Sequence, residues 1–184
     1  MGTLRLASAA LLVLALLGVP TGTLTAQDDD TAQVASHAAA VFEGNVLPLN
    51  LRLSGTTETL PGGQMVKRGD LYEGHLDYPD PRLSGTHRVI TNEDFHVSAD
   101  GVSSVGMSTV RIDNAEGSWL GDSTGYMDSE GRWHNQGLLT GAGGYEGLWA
   151  LLIEDQAADN TYDVHGMIFP GGLPDAPVLP EPTE

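Results

Sequence analysis

The chain has 184 residues, no cysteine, and 8 basic against 25 acidic residues, for a formal net charge of −17. Nucleic acid and anionic membrane surfaces are poor partners for such a chain, because phosphate binding needs clustered Lys and Arg. With no cysteine there is neither a disulfide framework nor a thiolate metal site, so the fold must stand on its own core.

Residues 1–26 have the layout of a secretory signal peptide. Arg5 precedes an apolar run over 6–19, followed by Pro20 and a polar stretch ending at Ala26. The run is shorter than the roughly 18 apolar residues of a spanning helix. The expectation is a secreted or extracytoplasmic protein with no membrane attachment after cleavage. The remainder keeps 7 basic and 25 acidic residues, net −18, and is one domain's worth of chain.

Residues 27–41 are acidic, then alanine-rich, and carry no apolar periodicity. They are expected to be a linker with one helical turn around Ala38 to Ala40. The domain is placed at 42–171. Leu47, Leu49, Leu51 and Leu53 alternate with polar residues and Pro48, the period-2 signature of a half-buried edge strand. A second strand over 66–78 puts Tyr72, Leu76 and Tyr78 on one face. A third spans 84–91, with Asn92-Glu93-Asp94 as a polar break, and a fourth spans 102–113.

Asp113-Asn114-Ala115-Glu116-Gly117 and Asp128-Ser129-Glu130-Gly131 are hairpin turns by composition. Four more strands run near 118–127, 132–140, 146–154 and 161–169. Gly117, Gly121 and Gly125 share one face of the first of these, where a missing side chain permits close approach and coiling. The Pro-rich acidic stretch 172–184 is expected to be a disordered tail.

Eight strands with almost no helix signal predict an all-β domain, a single eight-stranded antiparallel barrel, the smallest that can hold a small ligand. The strand 146–154 is apolar on both faces: Trp149, Leu151 and Ile153 on one, Leu148, Ala150 and Leu152 on the other. A barrel wall facing water needs only one apolar face. The second face is therefore expected to be covered by the tail, the Ala-rich segment or another subunit, which makes a homo-oligomer an expectation.

The run Leu139-Thr140-Gly141-Ala142-Gly143-Gly144-Tyr145-Glu146-Gly147, followed by a strand of large apolar residues, resembles the allene oxide cyclase barrel. More loosely it is similar to plant dirigent proteins. Asp80-Pro81-Arg82-Leu83-Ser84-Gly85-Thr86 and Gly166-Met167-Ile168-Phe169-Pro170-Gly171 look like those of bacterial exported relatives. The resemblance covers 43–171 and implies a calycin-like barrel. It also implies a lumen that holds a greasy substrate folded for cyclisation, helped by a first-strand glutamate. Glu43 and Asn45, in Val41-Phe42-Glu43-Gly44-Asn45, stand near that place, although their neighbours depart from the plant pattern.

Glu146 reads either as a desolvated lumen carboxylate able to act as a general base, or as a turn residue bonding the glycine loop. The six histidines lack the helical spacing of a zinc site, and the acidic turns lack the spacing of a calcium loop. No metal and no cofactor is expected. No nucleophile elbow, P-loop or dinucleotide fingerprint occurs. The aromatics Trp119, Tyr126, Trp133, Tyr145, Trp149 and Tyr162 are the candidates to line a pocket or to plug the barrel. The leading expectation is a protein that binds a small hydrophobic ligand or serves as a non-catalytic interaction module. The alternative is a cyclase or isomerase with Glu43, Asn45 and Glu146 in its lumen.

Overall fold

A computed structural model describes residues 37–98 and 101–177. The expected signal segment 1–26, most of the linker and the last residues of the tail lie outside them. The described residues form an all-β structure with no α-helix and a single 3-10 turn at Pro81–Leu83. The strands are β1 (Ala40–Val46), β2 (Asn50–Leu53), β3 (Thr56–Thr59), β4 (Met65–Leu76), β5 (Gly85–Ser98), β6 (Gly101–Asp113), β7 (Gly117–Met127), β8 (Trp133–Gly143), β9 (Leu148–Gln156) and β10 (Tyr162–Pro170).

All ten strands belong to one antiparallel sheet. From β4 to β10 each strand pairs with the next, β1 pairs with β10, β2 pairs with β4, and β3 is a spur on β4. The sheet is not closed by hydrogen bonds: β1 lies on one edge and β2 beside the other. Only residues 47–49 join them, so Val46 and Asn50 stand at most about 14 Å apart, and the sheet has to curl until its edges nearly meet. The expected closed eight-stranded barrel is corrected to this open-seamed, ten-stranded sheet. The additions come from β1, which begins inside the expected linker, and from β3, whose residues are all exposed and carry no pattern. The expected helical turn at 38–40 gives way to the start of β1.

One half of the interior is packed solid. Phe42, Leu83, Ile112, Trp119, Tyr145, Leu148 and Ile168 form its core. The 3-10 turn closes that end: Leu83 is fully buried, and the Arg82 carbonyl accepts hydrogen bonds from Trp119 Nε1 (2.8 Å) and Asn114 Nδ2 (3.1 Å). Trp119 stacks on Tyr145 with ring centroids 5.0 Å apart. Glycines let the wall coil tightly there. A Cβ on Gly121 would lie 2.0 Å from the Leu138 carbonyl oxygen of β8.

Candidate functional site

The other half of the interior is hollow. A cavity of about 200 Å³ is lined from β1 and from β4 to β10, and by residues 47–49 at the seam; β2 and β3 contribute no lining residue. Its floor is set by one cross-strand row. The pairings Val164↔Glu154, Asn135↔Glu154, Gly125↔Asn135, Gly106↔Gly125, Glu93↔Gly106 and Lys67↔Glu93 place Val164, Glu154, Asn135, Gly125, Gly106, Glu93 and Lys67 side by side. Side chains alternate between the two faces of a strand, so a row in register presents one face to the lumen. The two glycines fall between the carboxyl groups; a Cβ on Gly106 would meet the Trp133 ring at 3.4 Å, and the place of a Cβ on Gly125 is taken by the Asn135 amide, 2.1 Å away.

A bulge fixes the end of this row. Gly69 has φ +78°, and the register of β4 against β5 shifts between Arg68 and Asp70. A bulge of this kind inserts one residue and re-aims its neighbours. Lys67 and Asp70 are thereby brought together, with Nζ 2.5 Å from Oδ2. The Gly55 amide donates to the other Asp70 oxygen at 2.8 Å. The Lys67 ammonium is thus held by a buried partner of its own, which depresses the Asp70 carboxyl below its ordinary value.

The remaining polar groups are less well matched. Glu93 is 8% exposed, and its carboxyl makes no hydrogen bond among the described residues. Burial lifts it above its ordinary value. Glu154 lies deep among protein atoms, keeps its free surface toward the cavity, and is likewise lifted by burial. It accepts a hydrogen bond from the Tyr78 hydroxyl, whose own ionisation is pushed far up by burial and by that carboxylate. Tyr162 feels both carboxyls and is pushed up to about 12, chiefly by burial. Tyr72, Tyr162 and Trp133 line the same space.

His87 completes the lining. Its ring lies 5.0 Å from that of Tyr78, nearly parallel. A carbonyl can only accept, so Nε2 carries the proton and donates to Leu83 O at 2.9 Å. Burial pushes the imidazole down to about 4, so it is neutral at pH 7. No Lys or Arg lines the cavity.

The residues singled out from the sequence are dispersed. Glu43 and Asn45 project from the outer face of β1. The Glu43 side chain is 83% exposed and stands 3.8 Å from His165, and Asn45 donates to Asp163. Glu146 is exposed in the β8–β9 turn, where its amide donates to Gly143 O at 3.1 Å. Trp119 and Tyr145 belong to the packed end, with the Tyr145 hydroxyl reaching Asn114 Oδ1 and Glu116 Oε2.

Tyr126 lies on the outer face, stacked on His134. Trp149 is half-buried and alternates with the inward Leu148 and Ala150. Of the aromatics, Tyr162 and Trp133 line the cavity. Of the histidines, His134 bonds Asp155 (2.7 Å) and Asp128 (3.2 Å), and His165 stands 3.8 Å from Glu43. Among the described residues no His, Asp and Glu cluster could hold a metal ion, and no helix is long and apolar enough to cross a membrane.

Glu93 and Glu154 were not singled out. Glu154 shares one face of β9 with Leu148, Ala150 and Leu152, but the opposite face is equally apolar, so parity groups it with them without saying that the face is inward. Glu93 sits on the face of His87, Val89 and Thr91, but only if β5 continues through the polar triplet.

No protein family, curated protein or solved structure matches this chain.

Proposed function

We propose that the curled sheet binds one small molecule in its hollow half. The observation that carries this reading is the row in which Gly106 and Gly125 separate Glu93 from Asn135 and Glu154, leaving a cavity in whose wall the Glu93 carboxyl makes no hydrogen bond among the described residues. Buried polar groups are ordinarily satisfied, and a ligand would satisfy this one. Size narrows the class. A dry cavity of about 150 Å³ accommodates benzene, so a cavity of about 200 Å³ suits a single substituted ring and is too small for a long acyl chain. In this reading β1 and β2 are two halves of one stave, giving an eight-stave barrel like that of the allene oxide cyclases. The protein works outside the cytoplasm, as residues 1–26 imply.

Two buried carboxyls beside tyrosines also favour a second reading, an isomerase in which Glu93 takes a proton from a bound ring compound and a lumen hydroxyl polarises its carbonyl. One titration series addresses both. Toluene and benzyl alcohol should quench the fluorescence of Trp133, the only tryptophan lining the cavity, at millimolar concentrations or below. Absence of any saturable response would overturn the binding reading. Deuterium uptake from D2O by bound acetophenone, lost in Glu93→Gln, would support the isomerase; none in the wild type would sink it.

A further inference from the structure

We infer that the ligand of the hollow half is a small organic cation, an ammonium group carried on a single ring or a short apolar body. The inference rests on the lumen-binding reading and concerns what the lumen selects.

Charge balance around the cavity is the first ground. Its lining holds two carboxyl groups, Glu93 and Glu154, and no Lys or Arg. The lining histidine, His87, spends its Nε2 proton on the Leu83 carbonyl and stays neutral. The cation beside it in the row, Lys67, is held 2.5 Å from Asp70 and acts on Glu93 only through space, too weakly to offset the rise that burial gives that carboxyl. A carboxylate taken out of water needs a paired, hydrogen-bonding cation to offset its lost hydration. Glu93 is 8% exposed; its main-chain oxygen accepts from Arg68 Nη1 at 2.9 Å, but its carboxyl makes no hydrogen bond among the described residues. An anionic ligand would instead add a third negative group to the same space.

The aromatic rings are the second ground. Tyr72, Tyr162 and Trp133 line the cavity together with Glu93. Ring faces attract ammonium ions, most strongly where water is displaced. A carboxylate with aromatic walls is a recognition set for an amine, whereas a neutral ring would need neither carboxyl. Gly106 belongs to the same arrangement. A side chain there would project toward the Trp133 ring, whose atoms lie 3.4 Å from the ideal Cβ position, and would take up space between the ring and Glu93. The net charge of −17 further raises the local concentration of cations.

Calorimetric titration of the whole protein with benzylamine, benzyl alcohol and benzoate, in 0.5 M NaCl, tests the inference. That salt concentration suppresses loose association of amines with the acidic exterior. Benzylamine should bind about tenfold tighter than benzyl alcohol, in line with about 1.4 kcal/mol from a desolvated cation contact, and benzoate should not bind. Glu93→Gln should bring benzylamine affinity down to that of benzyl alcohol, and Glu154→Gln should reduce the preference less.

Benzyl alcohol binding as tightly as benzylamine would overturn the cation inference and leave the lumen-binding reading standing. No binding by any of the three would overturn both. Should Glu93→Gln fail to fold, amide shifts in the wild type decide the matter. Benzylamine must move Gly106 and Gly125 more than residues of the outer face such as Asp163, and a response confined to the outer face would overturn the inference.

Discussion

The packed and hollow halves of the interior share the same strands and the same abundance of glycine, yet they use glycine in opposite ways. At the packed end a neighbour's ring fills the space of the missing side chain. Phe42 lies across Gly166, so a Cβ there would fall 2.2 Å from its ring, and the Tyr145 ring lies 3.1 Å from the place of a Cβ on Gly117. At the hollow end a Cβ on Gly106 would meet the edge of Trp133 at 3.4 Å and the Asn92 carbonyl oxygen at 3.5 Å, contacts with no overlap. Glycine makes room in both halves. What decides between a core and a cavity is whether an aromatic from the adjacent strand occupies that room.

The contrast can be broken at several points. Trp119→Ala removes a fully buried ring from the packed end and should cost about 3–5 kcal/mol of stability, read by urea unfolding. A loss below about 1 kcal/mol would mean that this half is not the stability core.

Next in size is pH. The His87 imidazole protonates near its ordinary value when unfolded but is pushed down to about 4 when folded. Between those values the unfolded state binds the extra proton, so stability should fall by about 3 kcal/mol as pH drops from about 6.5 to about 4. His134 acts in the opposite sense. Its pairs with Asp155 and Asp128 raise its pKa, so their contribution is present at low pH and fades as pH rises through the folded value. Because those pairs are at the surface, 0.5 M NaCl weakens the His134 contribution, while the lifted Glu93 and Glu154 carboxyls bind protons in the folded state and offset part of the fall; the His87 share is therefore the difference in slope between the wild type and His87→Gln. An unchanged slope in His87→Gln would contradict it.

The smallest effect compares two glycines. Gly166→Ala collides with Phe42 and with the Leu151 carbonyl, and should cost about 1–3 kcal/mol. Gly106→Ala meets an ordinary contact and should be neutral or stabilising by up to about 1 kcal/mol, while weakening benzyl alcohol binding. Equal costs at the two positions would erase the distinction between the halves.

The same contrast explains what could be read from the sequence. Most strands of the meander were legible, because an apolar interior against a polar exterior yields a period of two, and the turns at Asn114 and Asp128 announced themselves by composition. The expected end of the third strand at Thr91 failed at the hollow end. There, Asn92 faces solvent and Glu93 faces the cavity, so both sides are polar and alternation vanishes. Three consecutive polar residues then imitate a turn. A polar lumen erases the pattern that would reveal its own wall. Trp149 posed the reverse difficulty, since β9 is apolar on both faces and hydrophobicity cannot choose between them. Glu43, Asn45 and Glu146 came from likeness and prominence rather than parity, and they stand on the exterior or in a turn.

The pairing of β1 with β10 has a consequence for the order of folding. Ala40 lies opposite Ile168 and Val46 opposite Tyr162, so the first strand finds its partner only when the last has been made. The strands between can zip locally, hairpin by hairpin, but the edge strand waits through the whole of synthesis with Phe42 unburied. Contacts so distant in sequence are slow to form. The nascent chain therefore leaves β1 unpaired until β10 has emerged.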